Sequence, residues 1–234
     1  MCRVHRYFRG LMEYIFFTDS SLIKGVNIPK SNVGFRKMCK ICSAAETLFD
    51  KKGFYETSVA DICGLAKTAV GTFYIYFKDK TAIYTYLVRN YYVVIKNYLN
   101  KYVVDCKSRY EMEREGLKAF IRFGHTYPQC YKIIWGCSYI DPALFEDYYI
   151  RFAKSYTDAL KKYNEELVDV DYSTMAWVLM GVANFVGLKV LLKHKRLMEK
   201  ELNSLVDDVM KLLSSGLFLN PPYPADKAAA GDGH

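Results

Sequence analysis

The side chains able to do covalent or metal chemistry in this chain are few and poorly arranged for it. His5, His125, His194 and His234 stand far apart, and none falls at a spacing that completes a triad or a metal site. Cys39 and Cys42 form a Cys-x-x-Cys pair, with no second Cys or His pair at zinc spacing. Their interval is also one i, i+3 helical step, so packing on a shared helix face accounts for them. No Gly-rich loop cradles a phosphate. The expectation is therefore no catalytic residue, no metal and no cofactor: not an enzyme. What the residues do support is non-covalent recognition. The run from Thr57 to Lys80, TSVADICGLAKTAVGTFYIYFKDK, gathers small side chains, hydroxyls and cations into one short stretch.

That stretch reads as two short helices joined by a tight turn. Ser58 is a predicted N-cap, with Asp61 as the carboxylate of a capping box. The first helix is expected over Val59–Leu65, burying Val59, Ile62, Cys63 and Leu65. The second begins at Thr68 or Ala69 and ends near Tyr76, which is helix-turn-helix spacing. Ala69, Val70 and Thr72 are short enough to let a helix sink into the major groove of DNA. Gly71 removes a side chain where backbone meets phosphate. Tyr74, Tyr76, Lys78 and Lys80 add hydroxyls and cations suited to phosphate oxygens. The candidate DNA-contact set is Thr57, Ser58, Thr68, Ala69, Val70, Thr72, Tyr74, Tyr76 and Lys80.

The run Gly71, Thr72, Phe73, Tyr74, Ile75, Tyr76, Phe77 and Lys80, preceded by Gly53, Phe54, Thr57, Ser58, Val59, Asp61 and Ile62, resembles the TetR family of bacterial transcriptional regulators. The likeness covers about Arg36 to Lys80; beyond it only an all-helical layout matches. Two positions depart from the family pattern. Lys67 stands where the family usually has Gly in the turn, at a strain cost of roughly 1–2 kcal/mol. Ala69 stands where the family often has Ser, which leaves Thr68 to cap the recognition helix. The resemblance implies a repressor that a small molecule releases. A dimer would set two recognition helices about one DNA turn apart on a near-palindromic double-stranded operator; no membrane is expected as a partner.

Charge distribution agrees with a polyanionic partner. The net charge is +8, and residues 1–80 hold 13 Lys and Arg against 7 Asp and Glu, whereas the remainder holds 20 against 18. The positive excess sits with the helix-turn-helix. Apolar residues make up 51% and charged residues 25%, a globular balance that excludes a disordered chain. Seven cysteines, mostly in apolar helical patterns, suit a reducing cytoplasm. No apolar run reaches the ~18 residues of a membrane span. Glu13 interrupts the apolar run after Arg3, Arg6 and Arg9, so a signal peptide is not expected.

The elements that must position the recognition stretch follow from periodicity. The chain is expected to be all-α: a three-helix N-terminal head joined by a long helix to a helical ligand-binding and dimerisation body. The expected divisions are an N-terminal extension over 1–34, the helix-turn-helix domain over 35–80, the body over 81–219 and a loose tail over 220–234. In the extension, Tyr7–Phe17 is a potential helix and Gly25–Asn32 a linker. A helix over Arg36–Lys52, stopped by Gly53, braces the head, with Phe73 and Phe77 completing its core. Asp79–Asp105 is a rod of about 40 Å. Helices over Ser108–Tyr127, Gln129–Tyr139 and Asp141–Leu167 follow, the first broken by Pro128 and the last started by Asp141-Pro142. Tyr172–His194 and Lys200–Phe218 close the chain, and the former is apolar on more than one face, which points to a four-helix dimer bundle.

The 21 Tyr and 14 Phe invite an aromatic-lined chamber in the body. Its candidate lining is Phe123, Tyr127, Trp135, Tyr139, Tyr149, Phe152, Trp177 and Phe185, with an apolar or aromatic small effector. An alternative use of the same aromatic body is a helical lipid-binding or membrane-surface protein, against which the basic head and the Gly71–Lys80 run argue.

Overall fold

A computed structural model describes residues 24–193 and 196–217 of the chain. The expected helix over Tyr7–Phe17, the arginines Arg3, Arg6 and Arg9, the tail from Asn220, and His5, His194 and His234 lie outside the described residues. Within them the chain is all-α: nine α-helices, one 3-10 turn and a single isolated β-bridge.

Capping residues set the boundaries. Helix α1, Asn32–Lys52, begins four residues before the expected Arg36, because the Ser31 hydroxyl accepts the Gly34 N–H and closes the first turn. Gly53 ends it at φ +81°, a conformation open to glycine. Helices α2, Val59–Ala66, and α3, Val70–Tyr76, form the helix-turn-helix. The rod is α4, Lys80–Val103, whose N-cap Asp79 accepts from the Ala82 N–H. Helix α5, Arg109–Thr126, starts at Ser108, and Pro128 both stops it and opens α6, Pro128–Ile140. Helix α7, Pro142–Leu160, carries the Asp141 cap, which accepts from the Leu144 N–H. It ends short of the expected Leu167: the chain tightens into a 3-10 turn over Lys161–Glu166, with Tyr163 at non-helical angles. Helix α8 is Tyr172–Leu192.

Helices α1 to α8 lie in one compact unit. Its core runs from Met38, Ile41 and Phe49 of α1, through Phe73 and Phe77, along Tyr84, Leu87 and Tyr91 of α4, to Phe123, Ile133 and Tyr148. The second unit, from Arg196, contains α9, Glu199–Ser215, whose buried stripe is Leu202, Val206, Val209 and Met210.

Helix α8 corrects the expectation drawn from apolar runs. By length and composition it is long and apolar enough to cross a membrane. Ser173, Thr174, Asn184 and Lys189 divide it into shorter apolar stretches. In this fold it packs on α5 and α7. The Tyr131 hydroxyl of α6 bonds to Asn184, 2.5 Å from its backbone oxygen and 3.2 Å from Oδ1. Gly187 lets α5 approach: a Cβ there would lie 3.4 Å from the Phe120 ring.

Two polar contacts tie the rod to its neighbours. The Tyr84 hydroxyl donates to Ile133 O of α6 at 2.5 Å, and the Tyr91 hydroxyl donates to the buried Glu46 Oε1 of α1 at 2.6 Å. The Cys130 thiol lies 3.9 Å from the same carboxylate oxygen. Burial pushes the Glu46 carboxyl up to about 7; the Tyr91 hydroxyl opposes this and the nearby Asp50 adds to it. The folded chain thus holds this proton more tightly than an unfolded chain, whose glutamate titrates near 4.5. The stability it contributes is complete below that value and is lost as pH rises through about 7. The loss is about 3 kcal/mol once the carboxylate is ionised. Urea unfolding should therefore give a lower stability at about pH 8.5 than at about pH 5.5. Glu46→Gln, which keeps an acceptor for Tyr91, should remove most of that difference; a variant with the wild-type pH dependence would assign it elsewhere.

Candidate nucleic-acid interface

Helix α2 is fixed by a complete capping box. The Ser58 hydroxyl accepts the Asp61 N–H at 3.0 Å, and Asp61 Oδ2 accepts the Ser58 N–H at 2.9 Å. Lys52 adds an ion pair at 2.8 Å and, with these hydrogen bonds, holds the Asp61 carboxyl well below the usual range. Burial falls on Ile62, Cys63 and Ala66, with Val59 half-buried. Leu65, expected inside, is 51% exposed: with Ile62 and Cys63 on the buried face, the next inward position at i+3 and i+4 is Ala66.

The turn passes through Lys67 at φ 54°, ψ 52°, the one left-handed non-glycine residue among those described. Its N–H and that of Thr68 return to Gly64 O and Cys63 O and close α2. Thr68 does not cap the next helix. The N-cap of α3 is Ala69, with no side-chain hydrogen bond. Helix α3 then divides cleanly. Phe73, Tyr76 and the following Phe77 are buried, whereas Val70, Gly71, Tyr74 and Ile75 face solvent and Thr72 lies at the border.

The carbonyls at the end of α3 are satisfied by a segment expected to be a linker. Asn27 N–H donates to Tyr76 O at 2.8 Å, the Asn27 amide donates to Ile75 O at 3.1 Å, and Lys78 N–H donates to Gly25 O at 2.8 Å. Val26 forms the isolated bridge with Phe77. Gly25 sits at φ +83°, with a would-be Cβ 3.2 Å from that of Lys78, so this close pass requires glycine. No sequence periodicity marks this strap; a Gly-x-Asn stretch reads equally well as loop.

The nine candidate contact residues therefore separate. Ser58, Ala69, Val70 and Tyr74 are exposed, and Thr68 and Thr72 half-exposed. Thr57 does not belong to the surface: it is 1% exposed, and its hydroxyl bonds to Gly53 O at 2.7 Å. Tyr76 is likewise buried, its ring turned inward with Phe73. Lys80 points back into the head. Its ammonium donates to Phe54 O at 2.6 Å and Tyr55 O at 3.3 Å and lies 4.3 Å from the centre of the Phe54 ring. Desolvation lowers its pKa. It braces the loop before α2, which explains a cation at the start of a helix where the dipole disfavours one. The exposed cations flanking α3 are Lys67 and Lys78.

The eight body aromatics also separate. Phe123 and Tyr127 are buried together, with ring centres 5.0 Å apart. Tyr149 and Phe152 both pack on Tyr148. Trp135 and Phe185 meet edge to face at 6.4 Å in an exposed position, and Trp177 is exposed elsewhere on α8. Tyr139 is 85% exposed and so lines no interior wall. Among the described residues no cluster of His, Cys, Asp and Glu is arranged to hold a metal.

Residues 41–87 match the family model described as bacterial regulatory proteins, tetR family. Over 63 residues the chain is 40% identical to YvdT of Bacillus subtilis, an uncharacterised HTH-type transcriptional regulator, covering 27% of this chain and 31% of that protein. Over 133 residues it is 29% identical to an uncharacterised HTH-type transcriptional regulator in the lacX 3' region of Lactococcus lactis, covering 55% and 66% respectively. The matches thus span about a third and just under two thirds of these relatives. Among solved structures, a protein described as a TetR-family transcriptional regulator from Syntrophomonas wolfei superposes with a TM-score of 0.67 at 24% identity, covering 79% of this chain and 97% of that one. The fatty acid degradation regulator FadR from Bacillus halodurans gives 0.67 at 16% identity, covering 79% and 96%. At such identities these structures speak for the fold.

Two substitutions test the local geometry. Lys67→Gly should raise the unfolding free energy by about 1 kcal/mol, by relieving the left-handed side chain; a loss of stability would show that Lys67 is not strained. Lys80→Met should cost about 1 kcal/mol by removing the donor to the part-buried Phe54 O, and should leave the salt dependence of DNA binding unchanged. An unaltered stability with a flattened salt slope would return Lys80 to a phosphate role.

Proposed function

We propose that this chain, which carries the TetR-family helix-turn-helix over residues 41–87 in the fold of that family's solved members, is a DNA-binding transcriptional regulator working as a homodimer. The observation that carries the reading is the outward face of α3. A helix of seven residues turns Val70, Gly71, Tyr74 and Ile75 to solvent between two exposed lysines, while its other face is buried. Such a face has the shape of a major-groove reader: small groups at its N-terminal turn, a phenol further along, and cations at either end. The reading assigns Ala69, Val70 and Thr72 to base edges, and Ser58, Thr68, Tyr74, Lys67 and Lys78 to the backbone.

The dimer reading rests on α8. Trp177, Val178, Phe185 and Leu192 are exposed large apolar groups on one helix, and a Cβ at Gly181 would meet nothing within 4 Å, so a second copy has room to approach there. A two-fold pair presents two recognition helices about 34 Å apart and so selects a near-palindromic operator. The effector reading follows the aromatic content of the body: a small apolar or aromatic molecule that binds the DNA-incompetent spacing better, acting on a repressor. The setting proposed is the cytoplasm, where the DNA lies. A second reading, attachment to lipid, draws on α8 alone, which meets the length and composition of a membrane span.

Binding of the full chain to random-sequence duplex, followed across salt concentration, tests the first reading. Lys67→Ala and Lys78→Ala should each reduce the slope of log K against log salt by about 1. Absence of DNA binding at low salt, with co-sedimentation on lipid vesicles, would reverse the order of the two readings. Phe185→Lys should shift the sedimenting species from dimer to monomer; an unchanged dimer would move the interface off this face of α8.

A further inference from the structure

The reading face of α3 lacks every side chain that ordinarily reads a base by paired hydrogen bonds. Guanine is met by Arg or Lys, adenine by Asn or Gln, and cytosine by Asp or Glu. The sequence of α3 is Val-Gly-Thr-Phe-Tyr-Ile-Tyr, with none of the six. The turn before it contributes Thr68 and Ala69, and Lys67, whose left-handed backbone is fixed by its own hydrogen bonds to α2. What the outward face offers is hydrocarbon: the Ala69 methyl, the Val70 isopropyl group and the Ile75 side chain, all exposed, with the Thr72 methyl at the border. A Cβ at Gly71 would meet nothing within 4 Å, so nothing in the protein itself requires a small residue there. Its smallness fits close approach to an outside body.

The major groove contains one apolar group that varies with sequence, the C5 methyl of thymine. We infer that this chain reads its operator half-site chiefly through thymine methyls packed on Val70 and Ala69, rather than through hydrogen bonds to guanine or adenine. The inference rests on the DNA-binding reading given above. Val70 is the specificity-determining residue. The Thr72 hydroxyl, able to donate to or accept from either base of a pair, adds orientation without a unique partner. The half-site facing α3 is therefore T-rich on the strand whose methyls meet the helix.

The experiment enriches duplexes from a random pool with the full chain, then resynthesises the enriched site with deoxyuridine replacing thymidine one position at a time. Base pairing is unchanged, and only the methyl is lost. Binding should weaken about fourfold for each contacted methyl, with no effect from replacements outside the half-sites. Val70→Ala, at an exposed position that the fold does not use, should shrink that discrimination while leaving the salt slope intact. An enriched site bound equally well with deoxyuridine throughout overturns the inference and leaves the regulator reading standing. So does a site whose binding collapses on 7-deazaguanine substitution opposite α3, since that marks hydrogen-bonded guanine. A pool that yields no enriched duplex overturns both together.

Discussion

A helix of seven residues cannot hold itself in water, because nucleation costs more than so few hydrogen bonds return. Helix α3 exists because its neighbours leave it no other conformation. Phe73 and Phe77 are wholly buried against the head core, and Tyr76 nearly so. The strap around Asn27 takes up the carbonyls of Ile75 and Tyr76, which a helix end would otherwise leave to water. The inward residues thereby fix which residues face out. With Phe73 and Tyr76 committed to the core, helical geometry leaves Val70, Gly71, Tyr74 and Ile75 on the opposite arc. Function at the surface is thus set by packing beneath it.

The same logic extends up the rod. Asp79 caps α4 and Lys80 ties its first turn to the loop before α2, so the rod and the head begin as one piece. Further along, Tyr84 bonds to α6 and Tyr91 to Glu46 of α1. Helix α4 is thus anchored by side-chain hydrogen bonds to both α6 and α1. The Glu46–Tyr91 pair sits where the three helices meet, in a setting where a buried carboxyl is tolerated only while protonated or hydrogen-bonded.

Much of this was legible in the residues. Ser58 with Asp61, Gly53, Asp141-Pro142 and Pro128 are local signals whose physics needs only near neighbours, and each sits where that physics puts it. The three-helix head core was legible because Met38, Ile41 and Phe49 recur at helical steps on α1, with Ile62 on α2 and Phe73 on α3 facing them. What failed did so where the answer depends on contacts distant in sequence. Leu65 and Ala66 are adjacent, and the packing of Ile62 and Cys63 on α1 sets the helical phase that turns Ala66 inward and Leu65 out. Thr57 and Tyr76 carry hydroxyls suited to phosphate, but Thr57 spends its own on Gly53 O and Tyr76 is turned into the core. Lys80 lies beside the recognition helix in sequence yet bonds to carbonyls more than twenty positions earlier. The strap at Gly25–Asn27 has no periodicity at all, since a segment that pairs with the end of another helix needs only backbone groups and one amide.

The body was less legible than the head for a related reason. An aromatic side chain has the same identity whether it fills a core, lines a chamber or waits on a surface, and helical spacing separates these only when one face is plainly polar. Helix α8 has no such face. Its buried residues, Ala176, Met180, Gly187 and Val190, are small or slender, and its bulky ones, Trp177 and Phe185, point outward. That inverts the usual size order of a core helix. Close packing of α8 on α5, with Gly187 beneath Phe120, demands small residues inside. Large apolar groups left in water are costly at about 25 cal/mol per Å². An outward face built of Trp, Val, Phe and Leu is the observation on which the proposed dimer rests.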